Sequence, residues 1–155
     1  MRKSFLVIFS IVLLSTLIGS CKKEDQGELD REIIEAYVLE HELNGQFNES
    51  GLYYVIEEPG GDAHPSVYSE VTVYYKGYFL DGTVFDSNIG GDKLTTPLYN
   101  LIRGWQQGLQ LIGKEGKITM VIPSGLAYGY NGSGSIAPNT VIAFDVELVS
   151  FRNFD

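Results

Sequence analysis

The sequence predicts an α+β domain: one antiparallel sheet, a short helix laid across its apolar face, and a second short helix ahead of it. Two patterns carry this. Val71, Val73, Tyr75 and Phe79 alternate with more polar neighbours, as do Ile118, Met120 and Ile122, and again Ile142, Phe144, Val146 and Leu148. A period of two places each set on one face of a strand, with Asp145 and Glu147 on the opposite, wet face. Between these runs, Leu101, Trp105, Leu109 and Ile112 recur at helical spacing, the buried stripe of a helix over Leu101–Leu111.

The elements follow in order. Arg2 and Lys3 precede an apolar run from Phe5 to Ile18. That run is about 14 residues, short of the roughly 20 a helix needs to cross a bilayer. It therefore reads as a secretory signal peptide. It ends in Ile18-Gly19-Ser20-Cys21, which looks like a bacterial lipobox, where the Cys thiol is acylated and becomes the new N-terminus. Cys21 is the only cysteine of the 155 residues, so cleavage there leaves no second thiol for an intramolecular disulfide. The polar stretch after it reads as a tether. Its Lys22-Lys23-Glu24-Asp25 run resembles the surface-export signal of some Bacteroidetes-type lipoproteins, and a merely solvated linker is an equal reading.

Asp30 to Leu43 reads as a helix capped by Asp30, with Glu32 in its first turn and Asn44-Gly45 ending it. Ile33, Ile34, Tyr37, Val38 and His41 follow helical spacing. So short a helix is marginal alone and should dock on the domain or on a partner. From Gly51 the chain is mostly strand: Leu52–Glu57, Val67–Leu80, Lys117–Ile122 and Thr140–Ser150, with Asp81-Gly82 as a tight turn. These readings divide the chain into a signal segment (1–20), a tether after the lipidated Cys21 (21–29), a helix and linker (30–46) and the main domain (47–155).

Four motifs stand in fixed order: Val71-Thr-Val-Tyr-Tyr-Lys-Gly-Tyr-Phe-Leu-Asp-Gly-Thr-Val-Phe-Asp86, Ile102-Arg-Gly-Trp105, Ile122-Pro-Ser-Gly-Leu-Ala-Tyr-Gly129, and Phe144-Asp-Val-Glu-Leu148. The set resembles the FKBP family, the macrolide-binding peptidyl-prolyl cis-trans isomerases, from Gly51 to Phe151. The resemblance implies a half-open sheet wrapped around the short helix. It also implies a proline pocket. Trp105 matches the indole floor under the proline ring. Tyr75, Phe85 and Phe144 match the aromatics around the carbonyl before proline. Leu101 and Ile102 match the aliphatic pair at the helix start, with the Ile102 N–H holding a substrate carbonyl. Tyr128 matches the hydrogen-bonding phenol, Asp86 the carboxylate beside the twisting amide, and Ile136 the wall from the last long loop. Leu94 stands nearest to where the family supplies another pocket Phe, and Lys93 is the available basic partner for Asp86. Asn100 replaces a frequent acidic residue or Gln, and Ile136-Ala137-Pro138 replaces Ile-Pro-Pro. These departures bear on the rim more than on the floor.

Residue chemistry agrees with that class of reaction. The two histidines, His41 and His64, lie far apart and are not placed for a triad or a metal site. Asn131–Ser135 is glycine-rich but precedes a strand, so it is a loop and not a phosphate cradle. Prolyl isomerisation breaks no bond, so it needs no nucleophile, metal, ATP or other cofactor; it must only cross the roughly 18–20 kcal/mol barrier of peptide rotation. Cleavage before Cys21 leaves nine basic side chains against 20 acidic ones, a net charge of −11. Such a charge disfavours nucleic acid as a partner and leaves lipid as the means of membrane attachment.

Each aromatic of the set, taken alone, equally suits a closed core. Asp86 equally suits a turn cap acting through Ser87 and Asn88. Two functions follow from the whole pattern. One is a lipid-anchored isomerase of the bacterial cell envelope, facing periplasm or cell surface, that speeds folding of proline-containing exported proteins and takes macrolide ligands. The other is a non-catalytic chaperone or binding module for proline-containing segments.

Overall fold

The computed structural model describes residues 25–154. The signal segment, Cys21 and the start of the tether lie outside the described residues. The helix α1 spans Gln26–Glu40 and is followed by strands β1 (Gln46–Phe47), β2 (Tyr53–Glu58), β3 (Glu70–Phe79), β4 (Val84–Ser87) and β5 (Leu94–Pro97). Next come the helix α2 (Arg103–Leu109) and strands β6 (Gly116–Ile122) and β7 (Ile142–Arg152). All strand pairs are antiparallel. The sheet order is β1-β2-β6-β7-β3-β4, with β5 also on β3. The expected α+β architecture is therefore present.

β3 organises one edge. Its first half pairs with β5, from Glu70–Pro97 to Val73–Leu94, and its second half with β4, from Lys76–Ser87 to Tyr78–Val84. The chain between β4 and β5 bulges away, which would leave β3 backbone groups without a ladder partner. Asn88 supplies the partners: its Oδ1 accepts from the Tyr75 N–H at 2.7 Å, and its Nδ2 donates to the Val73 and Asp92 carbonyls at 3.1 Å. The turn-capping role that the sequence offered to Asp86 thus belongs to Asn88, helped by the Ser87 hydroxyl on the Tyr75 carbonyl.

The concave face of the sheet holds the main core. Val71, Val73, Ile118, Met120, Ile122, Ile142, Phe144, Val146 and Leu148 meet Trp105, Leu109 and Ile112. α2 comes very close to β6, because a Cβ on Gly104 would lie 2.5 Å from Ile122 Cγ2. α2 is shorter than the predicted Leu101–Leu111. Leu101 (φ −91°, ψ 165°) and Ile102 (φ −58°, ψ 152°) stay extended before it.

The opposite face is less wet than alternation alone predicts. α1 covers part of it, with Ile34 packed on Tyr53, Val121, Val141 and Ala143. The remainder stays polar, where Lys76 pairs with Asp145 and Lys117 with Glu58.

α1 also differs from the reading at both ends. It starts at Gln26 with Asp25 as cap, Asp25 Oδ1 accepting from the Gly27 N–H at 3.0 Å. Residues 26–29, read as tether, form its first turn. It ends before Asn44-Gly45, with Glu42 at φ 51° and its N–H on the Leu39 carbonyl, while the Leu43 N–H reaches Val38 at 3.0 Å. This left-handed closure satisfies the last carbonyls of the helix. Asp30, the expected cap, is buried inside the fold.

Candidate active site

A cleft of about 210 Å³ opens between β3, the chain entering α2, and the loop after β6. Trp105, 3% exposed, forms its floor. Phe144 stands beside it with ring centroids 5.2 Å apart and planes at 86°, and Tyr75 meets the indole edge-on at 5.4 Å. Register places these rings: Phe144 pairs with Gly77 on one side and Met120 on the other, and Tyr75 pairs with Val146. Leu94 comes from β5, Leu101 and Ile102 from the extended segment before α2, and Tyr128 from the loop after β6.

Eight of the residues assigned to the pocket line this one cleft: Tyr75, Asp86, Leu94, Leu101, Ile102, Trp105, Tyr128 and Phe144. Phe85 and Ile136 do not line it. Phe85 packs against Phe144, centroids 5.5 Å apart at 86°, and is tilted against Phe79. Gly77 makes that place, since a Cβ there would lie 2.5 Å from Phe144 Cε1 and 2.7 Å from Phe85 Cε2. Ile136 is 7% exposed and belongs to the core. Its backbone folds onto Ser133 by paired hydrogen bonds of 2.8 and 2.9 Å, which turns the loop back on itself.

The rim is electrostatically simple. The Tyr75 phenol donates to Asp86 Oδ2 at 2.8 Å. Burial first, then that bond and the negative charge of Asp86, pushes the Tyr75 phenol up to about 12. Burial, then the charge of Asp86, also raises the Tyr128 phenol above its ordinary value. Both phenols are therefore neutral donors at physiological pH. Lys93, the candidate partner of Asp86, instead holds its ammonium 5.7 Å above the Tyr74 ring. Among the described residues, the Ile102 N–H and the Tyr128 hydroxyl donate to no protein acceptor. An apolar cleft with two free donors and one carboxylate can hold an extended chain by its carbonyls while its floor takes an apolar ring. Among the described residues, no three His, Cys, Asp or Glu side chains gather as metal ligands.

The family model for FKBP-type peptidyl-prolyl cis-trans isomerases matches residues 61–149. The chain belongs to that family. The FKBP-type isomerase FkpA of Aeromonas hydrophila is 46% identical over 105 residues, 67% of this chain and 39% of that protein. The crystal structure of FkpA from Escherichia coli superposes with a TM-score of 0.70 at 37% identity, covering 82% of this chain and 63% of that one. A peptidyl-prolyl cis-trans isomerase structure from Pseudomonas syringae pv. tomato gives 0.69 at 27% identity, covering 81% and 96%. The chain spans about two fifths of the length of the FkpA relatives from Aeromonas and Buchnera (39% and 42%). The family model begins at residue 61, after α1, whereas the superposition on Escherichia coli FkpA, at 82% of this chain, extends ahead of it.

Sequence reasoning missed three supports of this FKBP cleft. Gly77 makes room for the rings, and Asn88 holds β3 where the edge splits. Gln106, one turn into α2, donates its Nε2 to the Leu101 carbonyl at 2.8 Å and the Tyr99 carbonyl at 3.2 Å, fixing the segment that presents the Ile102 N–H. Asn88 entered the sequence reading only as part of a turn capped by Asp86, and Gly77 and Gln106 carry no pattern that marks them.

Proposed function

We propose that this domain is a peptidyl-prolyl cis-trans isomerase that binds X-Pro segments in the Trp105 cleft and accelerates folding of exported proteins. The observation that carries the reading is the grouping of an apolar floor, two unpartnered donors and the Asp86 carboxylate in one cleft. The proline ring rests on Trp105, between Tyr75 and Phe144. The Ile102 N–H and the Tyr128 phenol hold carbonyls of the bound chain. The prolyl bond then twists. In the planar imide the nitrogen lone pair feeds the carbonyl, whose oxygen carries more negative charge than in the twisted form. A planar carbonyl held in an apolar site beside a carboxylate is therefore disfavoured more than the twisted one. That difference lowers the barrier, because only interactions that distinguish the two states speed the reaction.

A second reading, capture of proline-containing segments without catalysis, is favoured by exposed Tyr99 and Tyr130, which flank the cleft residues Asn100 and Tyr128 along the chain. One experiment separates the two. The catalysed cis-to-trans rate on a proline peptide rises above background for an isomerase, whereas a capture module retards folding of a proline-containing client and leaves the peptide rate unchanged.

Attachment to the cell envelope through an acylated Cys21 is part of the same proposal. It rests on Arg2, Lys3, the apolar run to Ile18 and the position of the single cysteine. A peripheral anchor of more than one acyl chain holds firmly where a single chain does not. It would keep the acidic domain beside emerging polypeptides.

A further inference from the structure

Asp30 lies on α1, ahead of residues 61–149 matched by the family model, and is 1% exposed. Its Oδ2 accepts from both the N–H and the hydroxyl of Ser124, at 2.7 and 2.6 Å, across 94 residues of sequence. Its Oδ1 accepts from Gln26 Nε2 at 2.7 Å. None of the ion pairs among the described residues involves Asp30. Every partner is a neutral donor, and two of them are one residue. A buried carboxylate is costly unless its oxygens are satisfied in this way.

Ser124 is itself 1% exposed and opens the short 3-10 turn Ser124–Leu126. Its carbonyl receives the Ala127 N–H at 3.0 Å, and the next residue is Tyr128, whose carbonyl receives the Gly132 N–H at 3.1 Å. The loop is thus tied to α1 at its start and presents the Tyr128 phenol to the cleft four residues later. α1 in turn is fixed to the back of the sheet by fully buried Ile34.

We infer that Asp30 is a positioning residue for Tyr128, so that the N-terminal helix is a working part of the isomerase site and not a spacer. The inference rests on the role given to Tyr128 above. Because Asp30 acts through Tyr128, its removal cannot cost more than removal of the phenol. The full chain carrying Asp30→Ala should lose about 2- to 13-fold in kcat/KM, the range set by one hydrogen bond. Asp30→Asn keeps an oxygen toward Ser124 and should stay within about twofold of the wild type, the low edge of that range. Ile34→Val, which trims the packing of α1 without touching the carboxylate, should leave kcat/KM unchanged.

The deciding measurement is a double-mutant cycle with Tyr128→Phe. In that background Asp30→Ala should have no further effect on kcat/KM, although thermal unfolding still registers the lost bonds. A full additional loss in the Tyr128→Phe background would overturn the inference, as would an unchanged rate in a folded Asp30→Ala chain. Should Asp30→Ala not fold, Ser124→Ala runs the same cycle with one of the two bonds removed. Backbone amide exchange supplies a readout that needs no catalysis. Protection of the Leu126 and Ala127 N–H groups should fall in Asp30→Ala and persist in Ile34→Val. Unaltered protection would refute the clasp even if the wild type catalyses nothing, and a wild type without activity but with this loss of protection would retire only the isomerase reading.

Discussion

The Tyr75 hydroxyl and the Asp86 carboxylate are joined by a 2.8 Å hydrogen bond at the rim of the cleft. It is the one side-chain hydrogen bond that the Asp86 carboxylate accepts among the described residues. Burial, that bond and the Asp86 charge push the phenol up to about 12, above its ordinary value of 10. A group whose folded pKa is raised contributes stability that is complete below the unfolded pKa and is lost as pH rises through the folded one. The difference in melting temperature between the wild type and Tyr75→Phe should therefore be constant from neutral pH to about 10 and shrink as pH nears 12. A difference that changes between pH 7 and 9 would contradict the assignment.

Gly77 is expected to tolerate no side chain. A Cβ there would lie 2.5 Å from Phe144 and 2.7 Å from Phe85, two rings locked against each other. Gly77→Ala should destabilise by about 1–3 kcal/mol, the usual cost of overpacking, and should lower the isomerase rate by shifting Phe144. Denaturant unfolding and the peptide assay measure the two effects. An unchanged midpoint would show that the rings move aside freely.

A macrolide that targets this family should bind the cleft and inhibit it, because Trp105, Ile102 and Phe144 offer the apolar floor. Leu94 lines the cleft where the family supplies a larger Phe, so affinity should be lower than a fuller rim provides. Calorimetry with the macrolide is the measurement. No heat of binding at high micromolar ligand would count against an open floor.

Cys21→Ala should block acylation and move the processed protein out of the detergent fraction. Phase partitioning of the two forms checks this. A correctly processed Cys21→Ala protein that stays with the membrane would refute lipid anchoring.

The long strands were legible because β3, β6 and β7 each run through several periods of alternation. β1, β4 and β5 have two to four residues each, too few to show a period, and only pairing with a neighbour defines them. The start of α1 was misplaced because Gln26, Gly27 and Glu28 carry no apolar signal, and Asp25 and Asp30 both suit a cap. The cleft was legible in its floor and polar groups. Depth was not. Phe85 and Ile136 have the right chemistry, but their places against the Phe79 and Phe144 rings and in the core follow from Gly77 and from the Ser133–Ile136 turn. The Asp30–Ser124 bond joins residues 94 apart, and no local pattern announces such a contact.

Trp105→Ala is a poor probe of catalysis, since truncating a buried aromatic costs about 3–5 kcal/mol of stability. Asp86→Ala and Tyr128→Phe disturb less volume. The most direct measurement is the catalysed cis-to-trans rate on a proline peptide for the wild type and these two variants, with thermal unfolding of each alongside. The wild type should be active, Tyr128→Phe should lose about 2- to 13-fold, and Asp86→Ala should lose more while remaining folded. A stable wild type with no rate above background would contradict the isomerase reading, and full activity in both variants would contradict the roles given to Asp86 and Tyr128.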